Sequence, residues 1–414
     1  PPYMGASNMN PRLNDFIKNR YPDYKSDFFS AFIVRGSEMT KPEGYCGYFT
    51  PYVWMFIQSY EKLREYLYTN ATIETLIQFE YSAFEEATVP VCTFAFKNSH
   101  ISKKGCYLRL VDFRGGMEVQ RQKTLEAIAN HNCGFYYEQN TDNFSKIPGS
   151  PVAYWASDLT YDAFCGDNIG NHFLVKAGMC TGDNNKFIVL WPEVDFTKSS
   201  IATSHYLYTP HNKGGDFRKW YGNRNYFLKY SKESLTAMGE NAGFRHDGKE
   251  YYFQPHIGWS KITSAKSSFR YYEDGFTFDS AGLGLFAKES ALYPTLAFLN
   301  SKVSESMISI LNPTLNVTPL IVKELPYNEA DVSDLVELCI SLSKSDWDSF
   351  ETSWDFKTHP LVELRLSGAY AWGDNPPIMH IESAYKAWKL LCEGRFQKLK
   401  ANEEELNRIF IDVY

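Results

Sequence analysis

No two cysteines of this chain stand at C-x-x-C spacing: all eight (Cys46, Cys92, Cys106, Cys133, Cys165, Cys180, Cys339 and Cys392) are scattered, several within apolar runs. That pattern argues against a zinc site or a disulfide framework and for reduced, partly buried thiols. No apolar run is long enough to span a bilayer and no signal peptide is present, so the cytoplasm is the expected compartment. Internal repeats and low-complexity tracts are missing too. Nor is positive charge in excess: 42 Lys and Arg stand against 49 Asp and Glu, a net of −7, which argues against a protein that coats nucleic acid through its overall charge. A local basic surface remains open. Finally, the chain lacks an initiator methionine, opening on Pro1-Pro2-Tyr3 and closing at Tyr414 inside a helical pattern, so a portion of something longer is expected.

What is present suffices for a substantial core: 414 residues, 44% of them hydrophobic, suggest two or three domains. Phe28, Phe29, Phe32, Ile33 and Met39 fall near helical spacing before Pro42-Glu43-Gly44 breaks the pattern. Tyr45 to Phe49 reads as a buried strand, and Thr50-Pro51 as an N-cap with proline at the first position of a helix running through Trp54, Ile57, Tyr60, Leu63 and Leu67. Strand-like runs follow at 72–79 and 88–96. This alternation predicts an α/β sheet. Beyond about Gly105 the text becomes rich in aromatics, glycine and short strand-like runs, a second and mixed domain. After Pro326 the stretches Val332 to Ser343 and Ile381 to Val413 look helical with solvated faces.

Pro1-Pro2-Tyr3 is by itself equally the mark of a turn or of a proline-rich ligand. Its neighbours give it context. Pro1 to Gly5, the helix through Asp27 to Phe32, the strand 44–51 and the run 80–93 together resemble the ordered motifs of adenine-specific amino-methyltransferases. Further on, Phe144-Ser145-Lys146-Ile147-Pro148-Gly149-Ser150-Pro151, the stretch Lys213-Gly214-Gly215-Asp216-Phe217-Arg218-Lys219-Trp220-Tyr221-Gly222 and the segment from Asp346 to Phe356 resemble the PglX methyltransferases of BREX phage-defence systems. Related text occurs in large restriction-modification fusions. The resemblance covers nearly the whole chain.

The resemblance implies S-adenosylmethionine as methyl donor, double-stranded DNA as substrate and self-marking in phage defence as the role, with other defence-system proteins as further partners. The adenine amino group is a poor nucleophile hidden in the duplex stack, so such an enzyme flips the base onto an aromatic platform and accepts its N6 hydrogens. In the Asn/Asp-Pro-Pro-Tyr/Phe motif the polar residue precedes position 1. Carried over, Pro1, Pro2 and Tyr3 form the catalytic segment: Pro1 contributes its carbonyl and Tyr3 stacks on the flipped adenine. Phe84 is the second aromatic beside the base, or else simple core. The glycine-containing cofactor loop is expected upstream of Pro1. The chain's G-x-G, Gly282-Leu283-Gly284, reads better as a structural turn.

Positions 198–270 hold twelve Lys and Arg against five Asp and Glu. There Lys213, Arg218, Lys219 and Arg224 surround a Gly-Gly turn, and Lys261, Lys266 and Arg270 follow among serines. All seven are candidate DNA contacts, as phosphate clamps or guanine readers, with a solvated basic face as the alternative reading. Thr181-Gly182-Asp183-Asn184 resembles a recognition-domain loop or is a β-turn. No metal site is expected, and Glu403-Glu404-Glu405 reads as a solvated, partner-facing or linking element.

The expected architecture is therefore α/β: residues 1–105 form the C-terminal half of a Rossmann-like S-adenosylmethionine-dependent methyltransferase sheet, 106–328 a mixed α+β target-recognition domain, and 329–414 a helical C-terminal region. The rival reading is a non-catalytic DNA-recognition or partner-binding module of a defence complex. A carbohydrate-binding surface protein, suggested by 16% aromatic content, conflicts with the reduced cysteines and the ordered motifs.

Overall fold

In a computed structural model, which describes residues 1–81, 89–263, 266–312, 316–366 and 380–414, the chain is mixed α/β. It divides into two compact units, Pro1–Gly166 with Ile310–Pro313, and Asp167–Ser309 with Thr314–Tyr414. The boundary expected at 105 falls inside a strand, and the first unit continues to Gly166.

The first unit begins with helices α1 (Pro11–Arg20) and α2 (Phe28–Met39). Asp27 starts α2: its carboxylate accepts from the Phe29 N–H at 3.2 Å, satisfying a donor that the first helical turn leaves open. Strands β1 (Tyr45–Pro51), β2 (Thr72–Gln78), β3 (Val91–Lys97), β4 (Lys104–Arg109) and β5 (Tyr136–Asn140) form one sheet in the order β1-β3-β2-β4-β5. Helix α3 (Glu61–Asn70) links β1 to β2, and α4 (Gly116–Ala129) links β4 to β5. Because β3 runs antiparallel to both β1 and β2, those two are parallel to each other, and β4 is parallel to β2. The carboxyl ends of β1, β2 and β4 therefore share one edge of the sheet. Trp54, Leu63, Leu67, Ile73, Phe94, Phe96 and Tyr107 are buried in this unit.

Thr50-Pro51 does not open the continuous helix expected through Leu67; a single 3-10 turn, Tyr52–Met55, follows Pro51. Both residues pair with β3, Thr50 opposite Cys92 and Pro51 opposite Val91, and α3 starts only at Glu61. The reason is Arg64, 1% exposed. Its guanidinium donates to the carbonyls of Trp54 (2.7 Å) and Ile57 (2.9 Å), satisfying groups that a helix would have satisfied itself. Through Nε and Nη2 it also holds Gly149 O, at 3.0 and 2.6 Å. The stretch Phe144 to Pro151 thus belongs to this unit, where Tyr68 donates to Ser150 O at 3.0 Å and Tyr154 stacks on Tyr107 at 5.0 Å.

In the second unit, β6 (Leu174–Lys176), β10 (His256–Ser260), β11 (Phe269–Tyr272) and β13 (Gly282–Phe286) make one antiparallel sheet, ordered β11-β10-β13-β6. A second sheet joins β7 (Ile188–Leu190), β8 (Tyr208–Asn212), β9 (Tyr226–Lys229) and β12 (Thr277–Phe278) in the order β12-β8-β9-β7. Gly282-Leu283-Gly284 is not a turn but the fully buried start of β13. A Cβ at Gly282 would lie 2.4 Å from Asn212 O, so backbone approach, not a phosphate, accounts for that glycine. The helices Ser333–Trp347, Pro360–Leu366 and Ile381–Val413 belong to the same unit as these sheets. Among the described residues no helix is long and apolar enough to cross a membrane.

Candidate active site and nucleic-acid interface

The Pro1-Pro2-Tyr3 segment is fixed by its followers. Asp27, beyond capping α2, accepts from the Met4 N–H at 2.9 Å, while Phe28 N–H donates to Met4 O at 3.0 Å and Ala6 N–H to Ser26 O at 3.2 Å. Tyr3 is thereby laid beside the carboxyl end of β1, its hydroxyl donating to Phe49 O at 3.3 Å. Its ring meets Phe29 edge-on at 6.4 Å, and Phe29 stacks on Tyr60 at 5.4 Å. One side of the ring is backed by the protein; Tyr3 as a whole stays 43% exposed. Partial burial, with the Cys92 thiol nearby, raises the phenol above its ordinary range, so the ring is neutral at physiological pH.

The same edge carries the ends of β2 and β4. Gln78 accepts from the Tyr154 hydroxyl at 2.8 Å, and the Arg109 guanidinium lies over Trp155 at 5.2 Å. In parallel α/β sheets, ligands bind outside the carboxyl ends of the strands. Here those ends are Pro51, Gln78 and Arg109. None is a carboxylate able to accept from ribose hydroxyls, so no residue at this edge is assigned to S-adenosylmethionine. Pro1 and Pro2 are exposed. Phe84 lies outside the described residues. Asp27 was not singled out from the sequence as a site residue, although an Asp directly before an apolar helix is a readable cap.

The seven basic candidates fare differently. Arg270 is fully buried: its Nη1 donates to Arg218 O at 3.0 Å and to Ser268 Oγ at 3.3 Å, its Nη2 to Ser260 Oγ at 3.4 Å. Arg224, 2% exposed, forms a two-pronged ion pair with Glu273 and lies 3.8 Å over the Tyr221 ring. Neither guanidinium faces solvent: where the sequence reading expects these two to touch DNA, the structure buries them, with their Nη groups donating inside the protein. The others lie nearer the surface, most of them with an anionic partner. Lys213 Nζ is 3.3 Å from Asp279, Arg218 Nη1 3.3 Å from Asp346, Lys219 Nζ 3.0 Å from Glu403, and Lys266 Nζ 2.7 Å from Glu305. Lys261 is half-buried, its backbone N–H donating to Ala281 O at 2.8 Å. Arg218 also lies over Trp347 at 4.9 Å, and the Trp220 indole donates to Glu403 at 2.7 Å, so Glu403 is an internal acceptor and not simply a solvated charge. At Thr181 to Asn184, Asp183 caps the short helix Asn184–Phe187, and Thr181 Oγ1 donates to Asn184 at 2.7 Å.

Comparison with known proteins adds kinship to this geometry. Residues 1–84 match the family described as Eco57I restriction-modification methylase. The adenine-specific methyltransferase PglX of Lacticaseibacillus casei (strain Zhang) is 37% identical over 440 residues, spanning all of this chain and 36% of the relative. The adenine-specific methyltransferase BrxX of Escherichia coli O9:H4 (strain HS) is 33% identical, with 90% of this chain and 31% of the relative covered. The chain thus spans about a third of the length of these curated relatives. Among solved structures, the Type IIL restriction-modification enzyme MmeI, in complex with DNA, superposes with a TM-score of 0.54 at 10% identity, covering 99% of this chain and 56% of that one. At that identity the likeness is one of fold.

Proposed function

We propose, from its similarity to PglX and BrxX, that the chain works as part of an adenine-specific DNA methyltransferase acting on duplex DNA. In this reading the first unit is the C-terminal half of a Rossmann-like methyltransferase sheet, and the second unit chooses the DNA sequence. The observation that carries it is the placement of Tyr3: a neutral ring at the carboxyl edge of parallel strands, backed by Phe29 and anchored through Phe49 O and Asp27. Such a ring offers a stacking face to an extrahelical adenine, offsetting part of the stacking lost when the base leaves the duplex. Pro1 supplies a carbonyl acceptor next to it, and Phe84 is the second aromatic on the base. S-adenosylmethionine supplies an electrophilic methyl group, and N6 of adenine receives it. Lys213, Lys219, Lys261, Lys266 and Arg218 hold phosphates, the anionic partners of four of them giving way to DNA. Self-marking in a BREX-type or restriction-modification defence is the role, with other defence proteins as partners.

The test uses the full-length enzyme, unmodified genomic DNA and a labelled methyl donor. Tyr3→Ala should lower the single-turnover rate roughly 5- to 150-fold, the worth of one base–aromatic stack, while leaving DNA affinity nearly intact. An unchanged rate rejects Tyr3 as the platform. Absence of any methyl transfer by the unaltered enzyme favours the non-catalytic recognition module instead.

A further inference from the structure

The basic stretch contains one feature that phosphate binding does not explain. Along 212–220 the exposure pattern is buried at Asn212 and Gly214, exposed at Gly215, Asp216 and Phe217, and buried again at Trp220. The exposed tip is short, and a polar frame from distant parts of the second unit holds it. Asn212 Oδ1 accepts from Gly214 N–H at 3.1 Å. Ser260 Oγ accepts from Gly215 N–H at 2.9 Å and donates to Gly215 O at 2.7 Å. Asn223 Nδ2 donates to Asp216 O at 2.8 Å, and Ser268 Oγ accepts from Arg218 N–H at 3.2 Å. Buried Arg270 ties this frame together, since its guanidinium spans Arg218 O, Ser268 Oγ and Ser260 Oγ. Gly215 has φ +138°, and a Cβ there would lie 2.8 Å from Asn223, so the path is one that only glycine follows without strain.

A frame of this kind lowers the entropy lost when the tip binds. What it presents is chemically specific. Asp216 is an exposed acceptor whose carboxylate meets no donor among the described residues, and along the chain it stands between Lys213 and the pair Arg218-Lys219. Phosphates repel it, so beside a DNA backbone it is useful only where it meets a donor, and donors lie on base edges. Phe217 follows it, 48% exposed, an apolar group suited to a base edge and not to a phosphate.

We propose that the tip Gly215-Asp216-Phe217 enters the DNA major groove, with Asp216 accepting from a cytosine amino group and Phe217 packing on the thymine methyl of a neighbouring pair. Arg270 is the positioning residue that holds the tip in place. This inference rests on the reading of the chain as part of a DNA methyltransferase and adds the groups that read sequence.

The experiment maps N6-methyladenine in cells expressing the full-length enzyme, then measures kcat/KM on duplexes carrying the mapped site and its single-base variants. Asp216→Ala and Phe217→Ala alter exposed side chains and leave the frame in place. Each should lower methylation of the cognate duplex roughly 5- to 150-fold, the size of one lost base contact, and relax the requirement at one base pair, the two positions being close together. Arg270→Lys keeps the charge but cannot span three acceptors. It should blur discrimination at those same positions while binding to non-cognate duplex persists; a melting temperature that falls with the discrimination ratio intact would make Arg270 merely structural and overturn its positioning role. Should Arg270→Lys fail to fold, the two exposed variants still decide the rest. If both leave rate and mapped site unchanged in an active enzyme, the inference falls and the methyltransferase reading stands. If the unaltered enzyme neither binds nor methylates any duplex, the underlying reading falls with it.

Discussion

Lys219 Nζ lies 3.0 Å from Glu403 Oε2, 184 residues away along the chain, and the other oxygen of that carboxylate accepts from the Trp220 indole at 2.7 Å. One carboxylate on the C-terminal helix thus occupies a lysine expected to meet a phosphate. Glu403→Gln keeps an acceptor for the indole and removes the charge. Lys219 then meets its phosphate without first giving up an ion pair, so DNA affinity should rise, while the slope of log K against log salt, which follows the number of phosphates neutralised, stays near that of the unaltered enzyme. Binding isotherms of the full-length enzyme at several salt concentrations check this, and an unaltered affinity would place Lys219 away from the backbone.

Arg64 offers a stability test in the first unit. Its guanidinium is nearly inaccessible and donates to three backbone carbonyls, those of Trp54, Ile57 and Gly149. Arg64→Ala leaves these acceptors in an apolar setting, where each lost charged hydrogen bond costs about 1.5–3 kcal/mol. A loss of roughly 3 kcal/mol or more is expected by urea denaturation, far beyond that of a surface substitution. A loss under about 1 kcal/mol would mean that water replaces the guanidinium.

These residues also show what the sequence could and could not tell. The alternation of helix and strand over the first hundred residues was legible because burial of one face imposes its own spacing: α2, β1, β2 and β3 lie close to where apolar periodicity predicts them. Thr50-Pro51 misled because local cap preference cannot register Arg64, whose acceptors decide where α3 begins. Likewise, Arg224 and Arg270 looked like DNA contacts because a cation's burial depends on partners far along the chain, Glu273 and Arg218 O. Tyr3 was found through motif text, whereas its anchors Phe49 O and Asp27 appear only once the sheet is assembled. The exposed tip at Asp216 was hidden for the opposite reason: a carboxylate in a basic stretch reads as charge dilution until its frame is seen.

His256 is fully buried, stacked on Tyr272 at 5.0 Å, with Nδ1 3.0 Å from Gln254 O. Burial is the main cause that pushes its pKa down to about 4 from an ordinary 6.5; the Gln254 carbonyl opposes this and Arg224 adds to it. The unfolded chain therefore binds the proton first. Stability should be full above about pH 6.5 and decline as pH falls toward 4, by about 2 kcal/mol between pH 7.5 and 5 from this group. Urea denaturation of the unaltered protein and of His256→Gln at both pH values isolates the effect: the variant should lose less on acidification. Equal losses would assign the acid sensitivity elsewhere.

Lys213 and Lys266 separate two roles for a paired lysine. Lys213 faces Asp279, whose side chain is 4% exposed, has His211 Nε2 at 3.7 Å and accepts from Ala281 N–H at 2.6 Å. Burial by itself would raise the Asp279 carboxyl; the facing His211 and the Lys213 ammonium outweigh it and hold it below the usual range. The stability this supplies is present above the unfolded pKa and disappears as pH falls through the depressed folded one. Removing Lys213 shrinks it. Lys213→Ala should therefore cost about 1 kcal/mol at pH 7, with the difference from the unaltered protein narrowing in acid. Lys266 pairs with Glu305 with 60% of its side chain exposed, and Lys266→Ala should change stability by less than about 0.5 kcal/mol at any pH. In DNA binding the two are expected to behave alike, each lowering the salt slope by about one unit if each meets one phosphate. Urea denaturation at pH 7 and pH 4, paired with salt titrations of DNA binding, checks both halves. A silent Lys213→Ala in denaturation would show that Asp279 does not depend on it, and a slope unchanged by either substitution would leave both lysines outside the DNA interface.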